Sequence, residues 1–422
     1  MKTSPSSIIF RRNFLAILII GLLGIIGIRF FIYQILLHDR YSVYAENNSI
    51  RSVRLPAPRG YILDRDGDFI VSNRLQYSLA VIPAEVRNSI DKLEQLYQYL
   101  DIPRELIRNT INDADGIYAR FQPVTLHDDV SFIQRSKIEE HRLEFPGIFF
   151  VTHAIRHYPS RARATHVLGY LRDVAQATDF DYVTAGYNPG DLVGSAGLEL
   201  QLESILRGED GYRFHLVDNL LRDLGDIERK PTQYPASGDT VWLTLDVDLQ
   251  AELELMMEGI RGALIAMDPY TGEILAYVSA PDYVLAPFIG PIPITLWEQW
   301  RDDPGKVLLN RGINGLYPPG STYKLISAAA VLASSNIDPE ETIVCTGAYQ
   351  YGNRVFHCNI WSGHGEVNLE DALRESCNIY FYMKIQEIGF DNWAAMSKAF
   401  GFGEITGIEL PNESKGLVPT PD

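Results

Sequence analysis

A long apolar run near the N-terminus constrains this chain more than any other feature of its sequence. Residues Phe14–Ile28 are apolar without interruption, and after Arg29 the run continues over Phe30–Leu37 with only Gln34 polar. As a helix that rises about 1.5 Å per residue, residues 14–37 measure about 36 Å, which is enough to span a bilayer. The run therefore predicts a single transmembrane helix.

Basic residues before this run predict the orientation of the chain. Lys2, Arg11 and Arg12 precede it, and basic residues that flank a first membrane helix stay on the cytoplasmic side. No small-x-small cleavage site follows, which favours an uncleaved signal anchor over a removed signal peptide. We expect a cytoplasmic N-terminus at 1–13, an anchor in the cytoplasmic (inner) membrane at 14–37, and an extracytoplasmic location for the rest.

The roughly 385 residues outside the anchor have the composition of a globular exported protein. Hydrophobic residues make up 46% of the chain and charged residues 22%, which is enough apolar material for two cores. The net charge of −17 argues against nucleic acid as a partner. With only three cysteines, the fold does not rest on a disulfide framework.

The residue pattern of the exported part predicts two domains of mixed α/β (α+β) class. Residues 38–235 alternate short strand-like runs with polar helices and carry no compact set of catalytic residues. Residues 229–238 contain two prolines, which is typical of a linker. The strand-like runs are Tyr61–Leu63, Tyr77–Ile82, Phe149–Thr152 and Arg213–Val217, and the helices include Ser89–Leu100 and Phe132–Arg142.

Residues 236–422 form the second predicted domain. A strand at Thr240–Leu245 and a helix at Asp248–Met257 precede a β-hairpin, and a long apolar helix follows at Leu325–Ala333. The two strands of the hairpin are Gly262–Asp268 and Ile274–Ser279.

The tetrapeptide Ser321-Thr322-Tyr323-Lys324 opens that apolar helix and is the strongest chemical signal of the chain. Residues three apart share one helical face. A serine hydroxyl is a weak nucleophile at neutral pH, and a lysine in a dry site can lose its proton and act as the adjacent base. Alone, the motif is a weak signal, and a helix start with a serine cap is the alternative. The preceding Pro318-Pro319-Gly320 turn and the motifs described next favour Ser321 as nucleophile and Lys324 as base.

The motifs around this tetrapeptide resemble those of one known family. In the first domain they are Ala45-Glu46-Asn47-Asn48, Pro58-Arg59-Gly60, Asp64-Arg65-Asp66-Gly67, His166-Val167-Leu168-Gly169-Tyr170, Gly197-Leu198-Glu199 and Leu206-Arg207-Gly208. In the second they are Leu243-Thr244-Leu245-Asp246, Leu249-Gln250, Asp268-Pro269, Gly272-Glu273, Asn310-Arg311 and Pro319-Gly320 with the tetrapeptide. From anchor to last residue, the chain resembles the elongation-type class B penicillin-binding proteins, which are peptidoglycan D,D-transpeptidases.

The resemblance implies a fold, a reaction and a set of partners. Residues 38–235 would form an elongated pedestal (dimerisation-type) domain, and residues 236–422 a transpeptidase domain with an antiparallel sheet covered by helices. Ser321 would form an acyl-enzyme with peptidoglycan stem peptides during cell elongation and rod-shape maintenance, and β-lactams would acylate it too. Beyond the lipid bilayer, the implied partners are a polytopic glycosyltransferase and a scaffold protein of the elongation complex.

Ser376-Cys377-Asn378 matches the family's second signature, S-x-N. It follows Ser321 by 55 residues and directly precedes an apolar helix over 379–385. The resemblance implies that Ser376 relays a proton between Lys324 and the leaving amine, and that Asn378 hydrogen-bonds the backbone of the bound peptide. A serine that merely caps the helix is the alternative.

The third signature, K-[ST]-G, does not occur before Asp422. Lys415-Gly416 lacks the middle hydroxyl residue, so we do not assign it this role. We expect a transpeptidase domain that is C-terminally incomplete and has an open sheet edge. Two alternatives stay open: an inert truncated form that acts as an interaction protein, and a membrane-anchored β-lactam sensor or serine β-lactamase.

All three cysteines lie near one histidine in sequence, since Cys345, Cys358, His364 and Cys377 fall within 33 residues. Three thiolates and an imidazole fill the tetrahedral shell of a structural Zn²⁺ site. The resemblance also implies a metal site at these four positions in some relatives. The alternative is a Cys345–Cys358 disulfide, which leaves Cys377 a buried free thiol. Zinc on Cys377 would brace the catalytic residues on either side of it.

Overall fold

The computed structural model describes residues 5–37, 50–86, 90–113, 123–145, 147–174, 186–188, 190–218, 223–227, 230–289 and 292–419. Its strands are β1 (Ile50–Leu55), β2 (Ile62–Leu63), β3 (Phe69–Val81), β4 (Val124–His127), β5 (Ile148–His157), β6 (Leu171–Asp173), β7 (Leu192–Gly194), β8 (Gly211–Val217), β9 (Asp223–Asp226), β10 (Val241–Trp242), β11 (Gly262–Met267), β12 (Ile274–Ala280), β13 (Ile343–Cys345), β14 (Ala348–Tyr351), β15 (Arg354–His357) and β16 (Gly365–Val367). The motif Ala45-Glu46-Asn47-Asn48 lies outside the described residues.

The α-helices are α1 (Pro5–Phe31), α2 (Pro83–Val86), α3 (Ile90–Leu93), α4 (Tyr97–Leu100), α5 (Arg104–Asp113), α6 (Phe132–Glu140), α7 (Thr165–Leu168), α8 (Gly197–Gln201), α9 (Glu203–Leu206), α10 (Val247–Met256), α11 (Ile294–Arg301), α12 (Arg311–Asn314), α13 (Lys324–Ala333), α14 (Leu369–Arg374), α15 (Asn378–Ile388) and α16 (Phe390–Ala399). Single 3₁₀ turns occupy Glu94–Leu96, Arg142–Glu144, Ala286–Ile289 and Gly320–Tyr323. The mixed helix and strand content confirms the predicted class.

Helix α1 begins before the predicted membrane segment 14–37 and covers most of it, and a π-helical turn at Ile32–Leu36 extends the helix. The stretch Asn13–Leu36 has a mean hydropathy of 2.7, and none of it is buried. Its length and composition suffice to cross a membrane, so this helix is a candidate span.

The described chain divides into two compact units, of which the first comprises residues 1–61, 73–156 and 207–239. Here β8 pairs antiparallel with β1 and β9, and the end of β3 pairs with β4. Helices α2 to α6 surround a buried cluster. The predicted helix Ser89–Leu100 is interrupted by the 3₁₀ turn, which aligns the fully buried Leu93 and Leu96 on one side.

The second unit comprises residues 62–72, 157–206 and 240–422. Two of these segments, 62–72 and 157–206, lie within residues 38–235, which were predicted to form the first domain. The domain boundaries at 38–235 and 236–422 stay a prediction. All three segments contribute buried residues to one core, which includes Ile62, Val71, Leu168, Leu198, Leu245, Tyr283 and Leu410. The predicted hairpin is confirmed, because β11 and β12 pair antiparallel.

The predicted strand Thr240–Leu245 is shorter than expected. Only β10 is regular, and it pairs parallel with β2. The strand ends early because Asp246 caps α10, with its carboxylate accepting from the Leu249 N–H at 2.9 Å.

A second core in this unit holds the elements that carry the sequence motifs. It joins α13, α14, α15, β13 and β16 through buried residues that include Ala328, Val331, Ala372, Cys377 and Tyr380. Small alanine side chains on α13 let the neighbouring helices pack close to it.

Candidate active site and metal centre

Ser321 lies in the 3₁₀ turn Gly320–Tyr323, directly before α13 begins at Lys324. Gly320 has a φ of 61°, which turns the chain sharply out of the proline pair. The N-cap residue of the turn is Pro319, and that of α13 is Tyr323; neither side chain forms a capping hydrogen bond. Ser321 itself caps neither element. Its side chain is exposed, so the local fold presents a hydroxyl at a helix start.

Lys324 is half-buried and connects the two predicted signatures. Its Nζ donates to the Ser376 carbonyl oxygen at 2.5 Å, to Ser376 Oγ at 2.9 Å and to Asn378 Oδ1 at 2.7 Å. An ammonium group has three donors, so these acceptors use all of them. Among the residues that the structure describes, Ser321 Oγ has no hydrogen-bond partner. The structure thus brings Lys324, Ser376 and Asn378 together, with Ser321 one helical turn away along the chain.

Two effects act on the pKa of Lys324 in opposite directions. Burial lowers its pKa, while the neighbouring thiols of Cys358 and Cys377 act in the opposite direction. Burial dominates, so the pKa lies below that of an ordinary lysine. A lysine of this kind gives up its proton more readily than one in water.

Ser376 has a left-handed backbone conformation with a φ of 53°, which is uncommon for a residue other than glycine. Cys377, not Ser376, is the N-cap residue of α15, and it makes no side-chain cap bond. The capping interpretation of Ser376 therefore does not describe this structure. The turn directs Ser376 Oγ toward Lys324 instead.

Three hydrogen bonds fix the position of Asn378. Its Oδ1 accepts from Lys324, its Nδ2 donates to the His357 carbonyl oxygen at 3.2 Å, and its backbone N–H donates to Cys358 Sγ at 3.3 Å. An amide nitrogen carries two hydrogens, so one remains for a bound ligand. This geometry suits the predicted contact with a peptide backbone, which stays a prediction.

The three cysteines and His364 converge in space as they do in sequence. Cys345 ends β13, Cys358 follows β15, His364 precedes β16 and Cys377 caps α15. Their potential ligand atoms all lie within 4.8 Å of one another. All three cysteines are free and buried, so the Cys345–Cys358 disulfide is not formed here.

Three of the distances between these atoms are close to those of a tetrahedral zinc shell. With Zn–S of about 2.3 Å and Zn–N of about 2.0–2.1 Å, two sulfurs lie about 3.8 Å apart and a sulfur and a nitrogen about 3.5 Å apart. The structure has 3.9 Å between Cys358 Sγ and Cys377 Sγ. His364 Nδ1 is 3.6 Å from Cys345 Sγ and 3.5 Å from Cys358 Sγ. The residues therefore fit the ion.

The electrostatics of the cluster favour one thiolate. Burial opposes ionisation of Cys358, but hydrogen bonds from the backbone N–H groups of Asn378, Ile379 and Ile360 outweigh it and lower the pKa to about 6. Burial raises the pKa of Cys377 to about 12. Thiolates are the form that binds metal, and Cys358 is already predisposed to that form.

Sequence reasoning missed the aromatic support behind the serine turn. The Tyr323 ring packs against Trp393 and Phe402, with centroids 5.5 and 5.1 Å away. Trp393 Nε1 also donates to Ser327 Oγ on α13 at 3.1 Å. The apolar positions Phe390, Trp393 and Ala394 recur at helical spacing, and this pattern could have predicted a helix whose aromatic face packs against a neighbour.

Two family descriptions cover most of the chain. The penicillin-binding protein dimerisation domain matches residues 54–243, and the penicillin binding protein transpeptidase domain matches residues 262–422. The chain therefore belongs to the penicillin-binding proteins that join these two domains, which confirms the family predicted from sequence.

Within this class, the chain is similar to the elongation-type enzymes. It is 33% identical to the peptidoglycan D,D-transpeptidase MrdA of Acinetobacter baumannii, over 97% of this chain and 61% of the relative. The MrdA protein of Escherichia coli K12 is 30% identical over 99% of this chain and 66% of the relative. The chain thus spans slightly less than two thirds of the length of these curated relatives.

Solved structures show the same likeness. Penicillin-binding protein 2 of Helicobacter pylori, solved in complex with MreC, matches with a TM-score of 0.75 and 30% identity over 88% of this chain and 68% of that chain. A structure described as the structural coordination of polymerization and crosslinking by a peptidoglycan synthase complex matches with a TM-score of 0.65 and 29% identity, over 97% of this chain and 70% of that chain.

Proposed function

We propose that this protein cross-links peptidoglycan stem peptides as a serine D,D-transpeptidase of cell elongation, and that β-lactams acylate the same serine. The observation that carries the proposal is the set of three hydrogen bonds from Lys324 Nζ to Ser376 and Asn378, one helical turn after Ser321. Similarity to MrdA proteins supports peptidoglycan as the substrate.

In the first step, Ser321 Oγ attacks the carbonyl carbon of the penultimate D-alanine and gives its proton to the neutral amine of Lys324. The Ser321 backbone N–H is one donor for the oxyanion that forms. The peptide bond then breaks, an ester to Ser321 forms, and the departing D-alanine amine takes a proton from Lys324 through Ser376 Oγ.

In the second step, the amine of a neighbouring stem peptide attacks the ester. Lys324 accepts the proton of that amine, with Ser376 again as the relay, while a new amide forms between the two peptides. Ser321 Oγ leaves as the ester bond breaks and recovers its proton from Lys324. Asn378 holds the bound peptide through the Nδ2 hydrogen that His357 leaves free.

Labelling with a fluorescent penicillin tests this assignment. We expect Ser321→Ala to abolish covalent labelling. Lys324→Arg keeps the charge but cannot supply a neutral amine, so it should slow labelling by about 10² to 10⁴. Ser335→Ala, at a serine of the loop after α13, is the matched control and should label normally.

Other outcomes of the same experiment point to other functions. Labelling of the Ser321→Ala variant at the wild-type level would contradict the proposal. Rapid turnover of penicillin by the wild-type protein would indicate a β-lactamase instead. If the wild-type protein does not label but still captures its partners, it acts as an interaction protein.

We further propose that the apolar helix anchors the protein in the cytoplasmic membrane with residues 1–13 inside and the bulk of the chain outside. The basic residues Lys2, Arg11 and Arg12 support this orientation. Similarity to a penicillin-binding protein 2 solved with MreC and to a peptidoglycan synthase complex supports a scaffold protein and a polytopic glycosyltransferase as partners.

Finally, we propose that Cys345, Cys358, His364 and Cys377 hold a structural Zn²⁺ ion. When bound, the ion would cross-link β13, α15 and the segment after β15, and would supply no chemistry to the acyl transfer. The match between the interatomic distances and a tetrahedral shell supports zinc.

Metal analysis of protein purified without chelator tests the zinc proposal. We expect about one zinc ion per chain, lost in Cys358→Ser, and a lower melting temperature after chelation. Ser397→Ala, at a buried residue outside the cluster, is a control that should keep its zinc. A zinc-free protein whose intact mass shows a disulfide would contradict the proposal.

A further inference from the structure

A cleft on the second unit lies apart from the residues of the proposed reaction. Its volume is about 210 Å³, and His166, Tyr170, Ser195, Tyr283 and Asn310 are among the residues that line it. Further polar and apolar positions in the lining include Asn314, Asn412, Ile313 and Pro411. At about 30 Å³ per water molecule, the space equals about seven waters, which suits one small ring rather than an extended chain.

Gly197 in the lining and Gly169 next to Tyr170 allow a close approach of two backbone segments at one wall of the cleft. A Cβ on Gly169 would lie 1.8 Å from the Ala196 carbonyl oxygen, and a Cβ on Gly197 would lie 2.5 Å from the Val167 carbonyl oxygen. The Ser195 N–H donates to the Tyr170 carbonyl oxygen at 2.9 Å and ties these segments together. The wall is therefore rigid, with Tyr170 and Ser195 held side by side.

The asparagines of the lining are equally ordered. The hydroxyl of Tyr277 donates to Asn310 Oδ1, and Asn314 Nδ2 donates to the Asn412 carbonyl oxygen at 2.5 Å. In the wall that holds Tyr170 beside Ser195, the Tyr170 ring stacks on Phe288 with centroids 4.0 Å apart, which fixes the orientation of its hydroxyl. Preorganised polar groups of this kind favour a specific ligand over loose solvent.

His166 distinguishes this cleft from an ordinary surface groove. The side chain is only 8% exposed, and its Nε2 is buried without a partner. The ring meets Tyr283 edge to face at 5.3 Å, and burial lowers its pKa to about 4, so it is neutral at physiological pH. A neutral imidazole can both donate and accept a hydrogen bond.

The lining selects the chemistry of the ligand. It contains no Asp, Glu, Lys or Arg, but it combines two tyrosine rings with asparagine amides, hydroxyls and a neutral histidine. A stem peptide carries ionised groups, which need charged partners when they leave water. Sugar rings instead present hydroxyl and amide groups at their edges and C–H groups on their faces, which match amides and aromatic rings.

We propose that this cleft binds one uncharged N-acetylated sugar unit of a glycan strand. The assignment of the sugar to a peptidoglycan strand rests on the proposed function, whereas the chemistry of the cleft does not. A glycan held here would keep its strand on the protein while the peptides react at Ser321.

Ligand-detected NMR titration of the whole protein with N-acetylglucosamine and its uncharged disaccharide tests the proposal. We expect saturable binding, and we expect Ser195→Leu, which fills the cleft, to abolish it. Tyr170→Phe retains the stacked ring but loses the hydroxyl, so it should weaken binding by about tenfold. Melting temperatures will show that both variants are folded.

Three results would overturn the inference. These are no saturable binding by the wild-type protein, undiminished binding by a folded Ser195→Leu variant, and displacement of the sugar by an uncross-linked stem peptide that carries no sugar. Penicillin labelling of the same samples separates this inference from the proposed function. Ser195→Leu should label normally, and Ser321→Ala should bind the sugar normally, so each proposal can fail without the other.

Discussion

His166 makes the stability of the second unit sensitive to acid. Burial and the positive charge of Arg311 lower its pKa from 6.5 to about 4. As the pH falls below 6.5, the unfolded chain binds a proton that the folded chain does not, so the free energy of unfolding decreases. The decrease amounts to about 3 kcal/mol at pH 4, from about 1.4 kcal/mol per pKa unit, and levels off at lower pH.

Thermal unfolding between pH 8 and pH 4 measures this effect. We expect His166→Gln to remove the part of the slope between pH 6.5 and 4, whatever its effect at pH 8. His141→Gln, at a partly exposed histidine of the first unit, serves as the control and should keep the slope. Equal slopes for the wild type and His166→Gln would contradict a buried neutral imidazole.

At the scale of residues, the motifs identified the reacting groups but not their contacts. Ser321, Lys324, Ser376 and Asn378 follow from short patterns because the chemistry restricts their types. The hydrogen bonds of Lys324 depend on the left-handed backbone of Ser376, which no sequence rule predicts for a serine. The backbone oxygen that orients Asn378 belongs to His357, and a carbonyl has no signature in sequence.

Helix α15 contains a buried hydroxyl that does not contribute to stability. Tyr380 is fully buried, and its hydroxyl has no hydrogen-bond partner within the described residues. Leaving a buried polar group unpaired costs about 1 to 3 kcal/mol. Tyr380→Phe removes that group without a cavity, so we expect it to leave stability unchanged or raise it by about 1 kcal/mol.

Tyr277 on β12 provides the matched control. Its buried hydroxyl donates to Asn310 Oδ1, so Tyr277→Phe leaves that oxygen unpaired and should lower the free energy of unfolding by about 1 to 2 kcal/mol. Denaturant unfolding of both variants measures the difference. If Tyr380→Phe is the more destabilising of the two, the hydroxyl of Tyr380 is hydrogen-bonded in the folded protein, which would contradict the prediction.

At the scale of elements, sequence patterns predicted the structures that depend only on neighbouring residues. The β11–β12 hairpin follows from two apolar runs around a turn. The early end of β10 and the break in Ser89–Leu100 do not follow, because a capping carboxylate and buried leucines of the tertiary core decide them. Strand β3 extends well before the predicted Tyr77, since its first residues pair with β2.

At the scale of the molecule, the apolar helix should determine where the protein resides. Its unburied stretch Asn13–Leu36 has no core of its own to pack against. We expect the protein to remain with membranes after alkaline extraction, and a variant without residues 1–37 to be released. Ser4→Cys would test orientation, since an outside-only thiol reagent should label this variant no more than the wild type, whose cysteines are all buried. Release of the intact protein by alkali would contradict an anchor.

The division into two units was only partly accessible from the sequence. The pattern of strand-like and helical runs and the two-proline linker at 229–238 predicted one domain before residue 236 and one after it. This prediction placed 62–72 and 157–206 by their position in the chain, whereas buried residues such as Ile62, Leu168 and Leu198 belong to the core of the second unit. Contacts between distant segments are decided by packing, which a linear pattern does not encode.

That three-segment core restricts how genes for such proteins can recombine. A single crossover near the codon for residue 240 would combine segments 62–72 and 157–206 of one parent with the remaining segment of another. Ile62, Val71 and Leu198 would then have to fill spaces shaped by a foreign Tyr283 and Leu410. Viable hybrids should therefore come from parents that match at these buried positions, or from exchanges that move all three segments together.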